Sequence, residues 1–296
     1  MNNLSAQPKV NSEVKAFLHT ILAKVLSPEK YAELNSMLDN LLSQPKTGAF
    51  YMSFSRAVRM FGKDKLNYNA NELKNADELH KNWTPPSSVD KAVRLLILLQ
   101  ISDENEPEYL TMIENLFASG NVGEMVALYS ALPLLSYPEK LIIRCMEGVR
   151  TNMGEVFEAV ANHNPFPAEY LSEDAFNQMV LKCLFVGKPL YKVVNLQFRL
   201  NKNLARMAND YAHERWSAER KVNPELWQLV APYLEVKNMK DIQRLALSED
   251  ELERKAAALV CSISPLTELK EINYPLPVES VQLNWKGLGT EVWNNG

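Results

Sequence analysis

The sequence predicts an all-α protein: an irregular α-helical solenoid or bundle of antiparallel helix pairs that ends in an extended C-terminal tail. Three observations lead there. Apolar residues recur at spacings of three and four along nearly the whole chain. Prolines and N-cap residues mark where one such stretch stops and the next starts. Glycine supplies only 10 of 296 residues, which disfavours turn-dense β architectures and glycine-rich phosphate loops.

The elements follow in order. Ser12 is read as the cap of a helix whose Val14, Phe17, Leu18, Ile21, Leu22 and Val25 share one side. Ser27-Pro28 opens a second helix carrying Tyr31, Leu34, Met37, Leu38, Leu41 and Leu42, with proline at the first helical position. The same pattern predicts helices over about 47–61, 70–80, 88–100, 107–118, 122–132, 138–151, 153–162, 173–186, 203–220, 224–233, 238–246 and 249–262. No repeat of fixed period is present, so the stack is degenerate. The segment from Trp83 to Ser88, with Pro85 and Pro86, cannot continue a helix and is read as a corner. Residues 1–270 are expected to form a single helical domain, and residues 271–296 a tail. That tail contains Pro275, Pro277, Trp285 and Trp293, and is expected to be extended and docked on the body, because free tryptophans would leave a large apolar area in water.

Composition narrows the function. The net charge of −4 gives no reason to expect nucleic acid as a partner. No apolar segment follows a basic start at the N-terminus, and the apolar run Leu95 to Leu99 is far short of a membrane span. A cytoplasmic protein without a transmembrane segment is expected. Cys145, Cys183 and Cys261 are far apart in helical apolar patterns and read as reduced thiols, with neither a metal nor another cofactor implied. Signatures of nucleotide loops, zinc hydrolases and nucleophile elbows are missing.

Charge is nonetheless uneven. Lys182 to Lys221 holds nine basic residues against three acids, a local balance of +6, which leaves −10 for the rest. Such a region either focuses an anionic ligand or forms a solvated, salt-bridged face. On a wheel of 100° per residue, Arg215 falls about 20° from Leu204, inside the apolar face, where its guanidinium needs a carboxylate, carbonyl oxygens or a bound anion. Arg206, Asp210, His213, Ser217 and Arg220 share the opposite face, so His213 either meets a neighbouring element or is solvated. The stretch Glu173–Val186 is apolar almost all round and is expected to be buried, so that Asn177, Gln178 and Lys182 need polar partners. Gln178 and Lys182, one turn apart, could reach one ligand together. Convergence of Asn177, Gln178, Lys182 and Arg215 on one cavity would mark a site.

Three groups of residues carry a family resemblance. They are Asn164-Pro165-Phe166-Pro167-Ala168-Glu169-Tyr170, the runs Phe176–Lys182 and Leu184–Gly187, and the blocks Leu204–Met207, Asp210–Ala218 and Val222–Trp227. Together they resemble the EboA family of metabolite traffic proteins over about residues 120–235, most specifically through Tyr211-Ala212-His213-Glu214-Arg215-Trp216. The resemblance implies a bacterial protein of an operon that also encodes a UbiA-like prenyltransferase and moves a secondary-metabolite precursor from the cytosol toward the periplasm. It assigns no catalytic residues. The expected function is therefore a non-enzymatic helical protein that binds an anionic or prenylated metabolite or scaffolds operon partners. The candidate ligand-binding residues are Asn177, Gln178, Lys182, Arg206, His213, Glu214 and Arg215. The alternative is an enzyme acting on an anionic small molecule, with His213 or Glu214 as acid or base.

Overall fold

The computed structural model describes residues 7–43, 45–266, 269 and 284–294. They form sixteen α-helices with short 3-10 turns between them, and their only β pairing is an isolated antiparallel bridge between Lys65 and Ser88. The fold is all-α. Where the sequence suggests one helical body over 1–270, packing divides the chain into two compact units, with the division between Leu171 and Ser172.

The first unit contains α1 (Gln7–Val25), α2 (Pro28–Ser43), α3 (Thr47–Phe61), α4 (Ala70–Leu79), α5 (Val89–Leu98), α6 (Glu106–Ser119), α7 (Val122–Ala131), α8 (Pro138–Arg150), α9 (Gly154–Ala161) and α10 (Phe166–Tyr170). Local chemistry sets most boundaries. Asn69 and Asn121 form reciprocal capping boxes with Glu72 and Glu124, which satisfies backbone N–H groups at the starts of α4 and α7. Ser12 is not a cap; the helix already runs from Gln7, with Pro8 in the first turn, where no intrahelical N–H is required. α10, which periodicity alone does not reveal, starts between Pro165 and Pro167.

At the centre lies α5, buried on every side and packed on α1, α3 and α7. It contains one ion pair. Arg94, 2% exposed, donates through Nη1 to Asp90 Oδ2 at 2.8 Å and through Nε to the Phe54 carbonyl at 3.1 Å. Ser88 Oγ supplies another donor to Asp90 at 2.7 Å. Gly148 of α8 is a close-approach point, since a Cβ there would lie 2.5 Å from the Tyr129 ring and 2.6 Å from Val160.

The second unit holds α11 (Glu173–Val186), α12 (Lys202–Ser217), α13 (Trp227–Val230), α14 (Met239–Ala246), α15 (Glu251–Ile263) and α16 (Trp285–Asn294). The helix expected over 224–233 is broken into 3-10 turns on either side of α13, and Pro232, inside that span, withholds an N–H donor. Burial of α11 is incomplete: Phe185 is 59% exposed, although its ring meets Tyr211 edge-on at 4.7 Å.

The extended tail needs correction. Residues 270–283 lie outside the described residues, but Trp285–Asn294 are helical, with Asn284 Oδ1 accepting from the Gly287 N–H at 2.8 Å. Asn284 caps the helix, and packing on α15 completes it. Gly289 allows the close fit, because a Cβ would lie 2.6 Å from both Glu225 Oε1 and the Tyr191 ring.

Candidate functional site

A cavity of about 360 Å³ lies in the first unit. One wall is the corner after α4. Asn82 takes a left-handed conformation (φ 61°) that turns the chain, and the buried Trp83 sets its ring edge-on to Phe17 at 6.1 Å. The Tyr68 hydroxyl donates to the Pro86 carbonyl at 2.7 Å, and Leu66 N–H to the Ser87 carbonyl at 3.0 Å. Held from outside in this way, the corner presents Trp83, Pro85 and Pro86 to the cavity.

The other walls are helical. α5 contributes Lys91 and Leu95, α7 contributes Val126, Ala127 and Ser130, and α9 contributes Glu155, Glu158 and Ala159. Asn162 and His163 close the far end, His163 with a left-handed backbone (φ 57°). That turn is fastened by the buried Asn164, whose Nδ2 donates to the Tyr129 and Ala159 carbonyls, both at 2.9 Å, while its Oδ1 accepts from Phe166 N–H at 3.0 Å. Asn164, the first residue of one resemblance block, thus joins α7, α9 and α10. The cavity has the volume of a small-molecule pocket and a lining in which polar and apolar residues alternate in similar number.

A second concavity lies on the surface of the second unit, with a volume of about 420 Å³. α12 supplies His213, Trp216 and Ser217, and α14 supplies Lys240, Asp241 and Arg244. His213 Nε2 lies 2.9 Å from Asp241 Oδ2. A carboxylate only accepts, so the imidazole carries a proton on Nε2 and turns Nδ1 away from Asp241. Trp216 stacks on His213 at 5.7 Å and on the fully buried Trp227 at 5.6 Å, with the Arg244 guanidinium 4.3 Å from its ring centroid. The Asp210–Ala218 and Val222–Trp227 blocks therefore meet in one aromatic stack.

The structure distributes the sequence-predicted residues. Asn177, 1% exposed, exchanges hydrogen bonds with Asn201 at 2.9 and 3.2 Å, so its polar groups serve the packing of α11 on α12. Gln178 is exposed, which corrects the expectation that it is enclosed. Lys182 is half-buried, and burial holds its ammonium below its usual pKa. Arg206 is on the surface, bound to Asn203 at 2.9 Å and Asp210 at 3.3 Å. Arg215 meets its need locally: Nε and Nη2 both donate to the Lys221 carbonyl, at 3.0 and 2.9 Å, and fold the chain back after α12. Glu214 and Arg215 line a smaller groove with Phe185, Tyr211 and Arg220, apart from His213. Asn177, Gln178 and Lys182 line neither groove.

Sequence reasoning missed Trp83, Lys91, Glu155 and Glu158 as a group, although the Trp-Thr-Pro-Pro corner was visible. It missed Asp241 and Arg244 as well, because they are one turn apart on a helix whose neighbour only the fold specifies. Cys145 and Cys183 are buried, with thiols pushed up to about 12 by desolvation, and so are unreactive near neutral pH. Among the described residues no cluster of three His, Cys, Asp or Glu could hold a metal ion, and no helix is long and apolar enough to cross a membrane.

The chain matches the family model described as metabolite traffic protein EboA over residues 14–231. The match reaches well before residue 120, where the sequence resemblance starts, and it takes in the whole first-unit cavity. No curated protein and no solved structure matches the chain significantly. The match runs from within α1 to just past α13, and the chain belongs to the EboA family of metabolite traffic proteins.

Proposed function

We propose that this protein is a non-enzymatic carrier that binds a small metabolite in the first-unit cavity and passes it on within a secondary-metabolite pathway. It works in the cytoplasm beside membrane-bound operon partners such as a UbiA-like prenyltransferase, which carry the product toward the periplasm. The observation that supports this most is the cavity. It has about 360 Å³ of space behind a fastened Trp-Pro-Pro corner, all of it within the family-matched residues. The test is native mass spectrometry of gently purified protein beside Ala159→Trp, which fills the cavity from a half-buried position on α9. Wild type is expected to carry a stoichiometric adduct that the variant loses while its circular dichroism is unchanged. An adduct of equal abundance in both proteins overturns the assignment.

A second reading is supported by the His213–Asp241 contact. An oriented imidazole beside Lys240 and Arg244 suits proton transfer on an anionic substrate. Replacing His213 with alanine would then remove turnover of such a substrate without loss of fold, and unchanged turnover would exclude His213 from any chemistry.

A further inference from the structure

The concavity between α12 and α14 contains two cations that the fold leaves uncompensated. Lys240 and Arg244 are one turn apart on α14, a spacing at which like charges repel. Both are exposed, and neither is in an ion pair among the described residues. The acid in the lining, Asp241, is engaged elsewhere. Its Oδ2 meets His213 Nε2 at 2.9 Å, and it lies in the first turn of α14, where unpaired backbone N–H groups favour negative charge.

Arg244 is held in place by its surroundings. Its guanidinium lies 4.3 Å from the Trp216 ring centroid, and Trp216 stacks in turn on the fully buried Trp227. A guanidinium over a ring keeps its N–H groups for another acceptor and suits the paired oxygens of an oxyanion. Ser217 adds a hydroxyl to the same lining. The groove at Arg215 differs, because that guanidinium already donates to the Lys221 carbonyl and Glu214 opposes an anion there. Two cations and a hydroxyl around about 420 Å³ match a multiply charged group with several oxygens better than a single carboxylate.

We propose that this concavity binds a phosphate monoester or diphosphate group through Arg244, Lys240 and Ser217. The site goes beyond the carrier reading, and it shares residues with the proton-transfer reading without requiring turnover.

The full chain is titrated at pH 7 and constant ionic strength with pyrophosphate, glycerol 3-phosphate and acetate. The readout is the Trp216 indole N–H signal in proton–nitrogen NMR, identified by its loss in Trp216→Phe. Both phosphates are expected to shift that signal saturably and to bind about tenfold more tightly than acetate. Lys240→Gln, which changes an exposed side chain, and Arg244→Met, which keeps Trp216 covered, are each expected to weaken pyrophosphate about fivefold or more with circular dichroism unchanged. Vesicles containing phosphatidate present the same group on a lipid. If they sediment wild type but neither variant while the soluble probes are inert, the phosphate is a headgroup; if only the soluble probes bind, it is a free metabolite. No binding of any phosphate probe, an equal response to acetate, or affinity that survives both variants overturns the proposal. Phosphate binding with turnover unchanged in His213→Ala leaves the proposal standing and removes the proton-transfer reading. Turnover lost in His213→Ala without phosphate binding does the reverse.

Discussion

Arg94→Ala is expected to destabilise the first unit by about 3–5 kcal/mol, enough to remove much of a typical domain's stability. Arg94 and Asp90 are both almost wholly buried, and together they account for each other's charge at the centre of α5. Removing the guanidinium leaves Asp90 with only the Ser88 hydroxyl and takes a donor from the Phe54 carbonyl. It also removes the cation facing the Phe54 ring at 5.5 Å and leaves a cavity where a large side chain was. Urea denaturation followed by circular dichroism measures the loss. The double variant Asp90→Leu/Arg94→Met is the informative comparison, because it removes both charges and keeps the volume. It is expected to recover most of the stability, since desolvating an ion pair offsets most of its attraction. A double variant as unstable as Arg94→Ala would mean that packing, not charge, decides the effect.

Glu225→Ala is the second large effect, at about 3–5 kcal/mol in the second unit. The Glu225 side chain is fully buried and accepts three N–H groups: Leu190 at 3.3 Å, Tyr191 at 2.7 Å and Trp293 Nε1 at 2.5 Å. Alanine leaves all three donors without that acceptor and frees α16, whose remaining ties include Glu291 to Lys255 at 2.6 Å. The expected result is a lower denaturation midpoint together with faster proteolysis of the C-terminal helix.

The pH dependence has a definite sign. Burial raises the Glu225 pKa above its ordinary value of 4.5, against the opposing pull of its three donors. A carboxyl group raised on folding favours the native state most below its unfolded pKa and loses that contribution as pH rises through the folded value. The stability difference between wild type and Glu225→Ala should therefore be greatest below pH 4.5 and decrease as pH rises. A difference that grows with pH over that window would mean that the N–H donors outweigh burial.

Legibility from sequence followed the range of the interactions. Helix starts at Asn69, Asn121 and Ser172 were readable because a cap and the N–H it serves lie within three residues. The wheel set Arg215 inside the apolar face, whereas it is half-exposed and donates to a carbonyl six residues on. The partner of His213 lies 28 residues away on α14, and the acceptor for Trp293 lies 68 residues back, so no local pattern indicated either. α16 was misread because Gly287 and Gly289 lower its intrinsic helix propensity; Gly289 is there to let the helix approach Glu225.

The sequence by itself determined the all-α class, most helix boundaries and the family, because these depend on periodicity, caps and contiguous blocks of residues. Only the tertiary structure decided where a ligand could sit. The first-unit cavity is assembled from residues 83–95, 126–131 and 155–163, and its enclosure exists only once α5, α7, α9 and the Trp83 corner have packed. Volume and charge complementarity belong to side chains brought together across those separations, so they arise from packing and not from local sequence.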